Sequence, residues 1–320
     1  MTAPPAISLT GLGKAFGEHR VLAGVDLDIA RGSVFSLLGP NGAGKTTMVR
    51  ILATLTAPDT GTIRVAGHDV VREPDRVRAA IGVTGQYAAL DKVLTGTENM
   101  HMVGRLLHLG RSETRRRTTE LLERFDLAGV ANRPANTYSG GMGRRLDLAM
   151  SLMGRPEVVF LDEPTTGLDP RSRRELWAVI RELVIDGVTV FLTTQYLEEA
   201  DQLADRIAVL HDGRIVADGT PAELKRLTPG GHILFRFADR ADLAAAARAV
   251  GHPVDHPGTD PDELTLQIPS DGSVAHLKQL LDEFTELDLT VEQLGVHTPD
   301  LDDVFFALTS RPAEPLPAAS

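Results

Sequence analysis

Apolar residues along the chain fall in short runs separated by stretches of helical spacing. Residues 7–9 and 25–29 read as strands, and residues 33–38 form an apolar run stopped by Gly39-Pro40. From Gly44 onward, Met48, Val49, Ile51 and Leu52 repeat at helical spacing. Further strand-sized runs lie at 62–65, 81–84, 158–161, 188–192 and 207–210, with helical patterns between most of them. This alternation predicts an α/β fold with a largely parallel, buried core.

Residues 97–155 break the alternation. Met102, Leu106 and Leu107, then Leu121, Leu122 and Phe125, then the run 146–152 keep helical periodicity with no strand between them. They predict a helical subdomain set into the α/β core, and Arg115-Arg116-Arg117 on it reads as a solvated helix face. A second unit follows the turn residues Thr228, Pro229, Gly230 and Gly231. Its pattern is strand (233–237), helix (241–250), strand (264–268), helix (274–284), strand (289–292). An extended segment near Val254 would complete a split βαβ, ferredoxin-like plan. Leu301, Val304, Phe305 and Leu308 then form an apolar helical stripe, and the Pro/Ala-rich residues 311–320 are expected to be disordered. The division expected is thus 1–230 and 231–320, without internal repeats.

Charge sharpens this boundary. The net charge of −11 over 320 residues lies wholly in residues 231–320, which hold 16 acidic and 5 basic side chains. An acidic terminal unit argues against nucleic acid as a partner. There is no cysteine, which excludes disulfides, thiolate metal sites and a cysteine nucleophile. No run approaches the ~20 apolar residues of a spanning helix, and the first six residues lack the features of a signal peptide. The expectation is a cytoplasmic protein that reaches a membrane only through a partner.

Three motifs carry chemistry. Residues Gly39, Pro40, Asn41, Gly42, Ala43, Gly44, Lys45 and Thr46 fit G-x-x-x-x-G-K-[ST] between a strand and a helix. Inward-pointing backbone N–H groups of such a loop cradle phosphate oxygens, and Thr47 continues the helix that lends its positive end. Lys45 would neutralise β- and γ-phosphates, and the Thr46 hydroxyl would hold Mg²⁺. The buried run Val158, Val159, Phe160, Leu161 delivers Asp162 to the magnesium side and Glu163 as general base for an attacking water. Tyr138-Ser139-Gly140-Gly141-Met142 places a Ser N-cap and two glycines at a helix start, a second anion site. One nucleotide has no evident need of both; two chains set head to tail would exchange this cap.

In this order, with Gln86, Gly167-Leu168-Asp169 and a switch residue at Gln195, the motifs resemble the ATP-binding-cassette transporter ATPases over residues 7–227. The resemblance implies a P-loop NTPase core and an ATP-sandwich homodimer with two composite sites. It also implies that Phe16 stacks on adenine, that Gln86 touches Mg²⁺ or the lytic water at the face of a membrane permease, and that Asp169 bridges monomers while capping a helix. Two positions depart from the family: Met142 replaces the usual Gln, and Gln195 replaces the usual His; the Gln amide can position a γ-phosphate but does not titrate near neutrality. The stretches 193–201, 85–88 and 301–309 are similar to the daunorubicin/doxorubicin-resistance exporter ATPases, which implies efflux of a drug or secondary metabolite. Lipid or polysaccharide export, import, a soluble cassette acting on ribosomes or DNA, and a cassette without useful turnover stand as alternatives. Gly11-Leu12-Gly13 is no dinucleotide fingerprint. His252 and His256 read as a polar loop, since Pro253 and Pro257 break any helix. The acidic unit has no catalytic cluster and reads as a regulatory or dimer-stabilising module.

Overall fold

A computed structural model describes residues 4–86, 88–226, 231–252, 258–270, 273–297 and 300–309. The chain divides into two compact units, Met1–Pro221 and Ala222–Arg311, ahead of residue 230, where the composition changes.

In the first unit the elements run β1 (Ile7–Phe16), β2 (His19–Ile29), β3 (Val34–Leu38), α1 (Lys45–Leu52), β4 (Thr60–Val65), β5 (His68–Asp69), α2 (Pro74–Ala80) and β6 (Ile81–Thr84). Helices α3 (Gly96–Leu106), α4 (Arg111–Arg124) and α5 (Gly140–Ser151) follow, then β7 (Val158–Asp162), α6 (Pro170–Ile185), β8 (Thr189–Thr194), α7 (Leu197–Leu203), β9 (Arg206–His211) and β10 (Arg214–Gly219). The central sheet has the order β10-β9-β3-β8-β7-β6, with every pair parallel except the β10 edge. Strands β3, β7 and β8 are buried along their whole length, as continuous apolar runs in a covered parallel sheet require. Their carboxyl ends share one edge, so the loops after β3, β6, β7 and β8 all emerge together, where open α/β sheets bind ligands.

The N-terminal runs and residues 60–65 do not join that sheet. They form a separate antiparallel sheet, β2-β1-β4-β5. In β2, Val25, Leu27 and Ile29 are buried while Asp26 and Asp28 face out, the alternation of a sheet with one wet face. Strand β1 is far longer than its visible apolar run because its register shifts on both sides of Leu12, beside Gly11 at φ 64°. A bulge of this kind interrupts period-2 alternation.

Helices α3, α4 and α5 build the helical subdomain around Met100, Leu121, Phe125, Leu146 and Met153. Thr95 opens α3 with a reciprocal capping box to Glu98. The arginine run is not uniformly solvated: Arg117 is buried, donating to the Leu152 carbonyl at 2.7 Å and pairing with Glu120.

The second unit, with α8 (Pro221–Lys225) at the division, runs β11 (His232–Phe237), α9 (Arg240–Ala249), β12 (Thr259–Asp260), β13 (Thr265–Pro269), α10 (Val274–Glu286), β14 (Val291–His297) and α11 (Leu301–Thr309). Its antiparallel order β12-β13-β11-β14 is that of a ferredoxin-like βαββαβ unit. Phe284 of α10 packs edge-on against Phe235 and Phe237 at 5.0 and 5.5 Å. The segment near Val254, His256 and the tail from 311 lie outside the described residues. Strand β14 starts later than the pattern suggests, because the Leu289 N–H still bonds the Phe284 carbonyl of α10, and it runs on to His297 through the exposed Leu294 and Val296, whose apolar signal around Gly295 is weak. No helix among the described residues is long and apolar enough to cross a membrane.

In the central sheet Phe191 stacks between Phe35 and Phe160, at 5.4 and 5.7 Å. Phe191→Ala is expected to cost about 3–5 kcal/mol of stability, read from urea unfolding followed through Trp177, the chain's single tryptophan. A midpoint equal to wild type would show that this cluster does not hold the first unit together.

Candidate nucleotide site

The loop after β3 is shaped by two glycines that no other residue can replace. A Cβ on Gly39 would lie 2.4 Å from the Leu210 carbonyl oxygen, and one on Gly44 would lie 2.9 Å from that of Val21. Gly44 also sits at φ 109° as the N-cap of α1, so the first-turn N–H groups of that helix carry no side-chain cap. Ala43 turns its side chain into the core, and its own N–H bonds the Pro40 carbonyl. Lys45, nearly buried, folds back along the loop and donates to the carbonyls of Gly39 (2.7 Å) and Pro40 (3.1 Å). Burial pulls its ammonium below the ordinary lysine range, against the opposing charges of Glu163 and Asp162. Its Nζ lies 3.8 Å from Glu163 Oε1.

Strand β7 ends in the two carboxylates. Asp162 Oδ1 accepts from the hydroxyls of Thr193 (2.6 Å) and Thr46 (3.3 Å). Glu163 stands at φ 49°, a left-handed conformation that costs a non-glycine residue about 1–2 kcal/mol. Its N–H bonds both the carbonyl and the hydroxyl oxygen of Thr193, each at 3.1 Å, and Thr166 donates to its Oε2. The Thr46 and Asp162 oxygens therefore sit within hydrogen-bond distance of one another. Such a sparse set of hard oxygen donors fits Mg²⁺, which keeps several waters and takes few protein ligands.

A cavity of about 340 Å³ brings the predicted residues together: Asn41, Gly42, Gly44, Lys45, Thr46 and Thr47 from the loop and α1, Gln86 from the segment after β6, and Glu163. Phe16 and Val21 complete its wall. Phe16 is 55% exposed, with the Lys14 ammonium 5.2 Å from its ring centre, so it is not a core side chain. Gln195, half-buried between β8 and α7, is not among the lining residues.

The second anion site is elsewhere. Ser139 caps α5 by accepting from the Met142 N–H at 3.2 Å, and Met142 packs its side chain against the subdomain core. Ser139 and Gly140 line a separate cavity of about 480 Å³ with Leu168, Tyr138 and Gln86, while Gly141 is buried against Ser172. Gln86 thus borders both cavities, and Lys45 and Ser139 face different ones. Asp169 caps α6, accepting from Arg171 and Ser172 N–H groups and from the Ser172 hydroxyl at 2.6 Å; these bonds hold its carboxyl below the usual range.

Arg144 is absent from the sequence reading and central to the structure. From α5 it donates to the carbonyls of Pro164, Gly85, Asp162 and Glu163, at 2.8, 2.6, 3.2 and 3.2 Å. It also pairs with Asp147, which accepts the Ala89 N–H. Burial pulls Arg144 down and pushes Asp147 up. An arginine four residues before Leu148, on the buried stripe of its helix, is the signal that could have revealed it. Glu199 is likewise fully buried, accepting from Trp177 Nε1 at 3.1 Å, and burial pushes its carboxyl up.

Residues 22–166 match the family described as ABC transporter. The chain is 51% identical over 310 residues to the daunorubicin resistance ATP-binding protein DrrA2 of Streptomyces coeruleorubidus, covering 97% of this chain and 96% of that one. It is 48% identical to the daunorubicin/doxorubicin resistance ATP-binding protein DrrA of Streptomyces peucetius, covering 97% and 94%. Among solved structures it is similar to a dimeric ATP-binding cassette in a post-hydrolysis state bound to ADP and Pi. That match has a TM-score of 0.60 and 28% identity, over 67% of this chain and 98% of the other. A phosphate loop and paired carboxylates on one α/β edge, a Ser-capped helix α5 in the subdomain beside it, and near-full-length relatives of this kind make the chain a member of the ATP-binding subunits of ABC transporters.

Proposed function

We propose that this chain is the ATP-hydrolysing subunit of an exporter of antibiotic or drug-like molecules, working as a homodimer on the cytoplasmic face of the membrane beneath a separate permease. The near-full-length likeness to drug-resistance ATP-binding proteins supports the export of such molecules. The placement of Lys45 and Ser139 in different cavities of one chain supports the dimer, because a second copy supplies the signature that this copy's nucleotide lacks.

In this reading ATP lies along the loop after β3, with Phe16 against the base and the N–H groups around Gly42 and Gly44 on the phosphates. Lys45 leaves the loop carbonyls for the β- and γ-phosphates, exchanging neutral acceptors for charged ones. Mg²⁺, when bound, neutralises phosphate charge, with the Thr46 hydroxyl, the Asp162 carboxylate and Gln86 as its protein-side holders. Glu163 accepts the proton of the attacking water as that oxygen bonds the γ-phosphorus, and the bond to the β–γ bridging oxygen breaks to release ADP. Gln195 orients the γ-phosphate by hydrogen bonding alone, since its amide does not titrate. Ser139, Gly140 and Gly141 close over the partner copy's nucleotide, and Asp169 stands at the junction of the two copies.

Three outcomes are expected. Lys45→Ala should weaken ATP binding by roughly 100-fold, as loss of a charge-assisted contact to phosphate implies; equilibrium binding with labelled ATP measures it. Glu163→Gln should keep ATP binding, accumulate as an ATP-bound dimer on a sizing column and lose roughly 10²–10⁴-fold in turnover. Retained hydrolysis by that variant removes the general-base assignment. A tagged pull-down from detergent-solubilised host membranes should recover a polytopic permease; recovery with ribosomes or nucleic acid instead would end the exporter reading.

A further inference from the structure

The β8 strand reads Thr189, Val190, Phe191, Leu192, Thr193, Thr194, and every one of these residues is buried. At a buried strand position Val and Thr have the same shape, so the Thr193 hydroxyl is a polar group placed where packing alone does not require one. In the parallel register of β7 and β8, Thr193 is the partner of Asp162, and it is fully shielded from solvent. An ionised carboxylate can only accept, so the 2.6 Å contact commits the hydroxyl hydrogen to Asp162 Oδ1. The lone pairs of the Thr193 hydroxyl oxygen are left for the Glu163 N–H at 3.1 Å. The Thr193 carbonyl takes that N–H as well, and together they hold Glu163 in its left-handed conformation at φ 49°.

We propose that Thr193 is a positioning residue for ATP hydrolysis: one buried hydroxyl fixes the Asp162 carboxylate by donating to it and fixes Glu163 by accepting from its backbone. Thr46 shares Asp162 Oδ1 at the longer distance of 3.3 Å and is itself needed at the metal, so Thr193 is the donor free to remain on Asp162. The chain reaches Gln195 two residues later, just past the end of the strand. With no titratable side chain there, proton acceptance stays with Glu163, which this hydroxyl helps to align. The proposal rests on the assignment of Asp162 to the metal side and Glu163 to proton acceptance.

The full-length protein tests it with Thr193→Val, which keeps shape and the carbonyl contact but removes the hydroxyl, and Thr193→Ser, which restores the hydroxyl. Two readouts are needed: kcat and KM for MgATP, and the affinity for labelled ATP in EDTA and in Mg²⁺. Thr193→Val should lower kcat roughly 10- to 100-fold, the range expected for a lost hydrogen bond to a charged group, with KM within about threefold. Its ATP affinity in EDTA should match wild type, while the gain in affinity on adding Mg²⁺ should shrink severalfold. Thr193→Ser should recover both, and Trp177 fluorescence unfolding should show all variants folded. The proposal is overturned if Thr193→Val keeps kcat and the Mg²⁺ gain within twofold of wild type. It is equally overturned if Thr193→Ser fails as badly as Thr193→Val, since packing and not the hydroxyl would then be at work. Glu163→Gln serves as the reference: if it hydrolyses ATP normally, the general-base reading fails at Glu163 itself, whereas a dead Glu163→Gln beside a normal Thr193→Val refutes the role of Thr193 alone.

Discussion

A peptide that leaves a buried strand and turns at once must satisfy its polar groups without the ladder that held the strand. The residues Asp162, Glu163 and Pro164 face this constraint at the end of β7, and the first unit is organised around meeting it. Thr193 takes one side of the turn through the Glu163 N–H and the Asp162 carboxylate. Arg144 takes the other side through three successive carbonyls. A strained, charged turn between a strand and a helix is thereby held in one conformation, which is what the general-base role proposed for Glu163 would require. The strain at Glu163 is offset by hydrogen bonds from elements that are distant in the chain.

The features read from sequence were those whose chemistry is local. The phosphate loop was legible because only glycine tolerates the approach of the Leu210 and Val21 carbonyls, and such glycines recur at fixed spacing with Lys45 and Thr46. The Ser139 cap was legible because a capping oxygen and the N–H that donates to it lie three residues apart. Helices α3, α4 and α5 announced themselves through periodicity. What stayed hidden depends on register and on backbone partners. Thr193 meets Asp162 only once β7 and β8 are aligned. Arg144 binds carbonyls, which carry no residue identity in the sequence. The length of β1 was masked by its bulge, and the burial of Arg117 by the neighbouring arginines, which share its composition and not its surroundings. The likeness to a known family located Gln86 and Asp169 where spacing alone would have left a polar loop residue and a helix cap.

The division of the site between two cavities gives the chain an unfinished character. Gln86 borders both, Lys45 belongs to one and Ser139 to the other. A single copy can therefore hold a nucleotide without enclosing it. In the proposed dimer, enclosure, and with it the exclusion of bulk water that strengthens electrostatic contacts, would come from association. The departures at Met142 and Gln195 fit the same division of labour. Met142 is occupied with packing the subdomain core, which leaves the anion-binding role of that helix start to Ser139 and the backbone.

The Arg144 guanidinium has one further consequence. It is rooted in the helix whose first turn follows Ser139, and four of its hydrogen bonds grip two segments at the edge of the sheet, Gly85 and the 162–164 turn. A planar, rigid fork transmits displacement instead of absorbing it in side-chain rotation. A displacement of either segment is therefore carried to helix α5 and to the Ser139 cap at its start. In the proposed head-to-tail pair, that would tie the two nucleotide sites together through a single side chain.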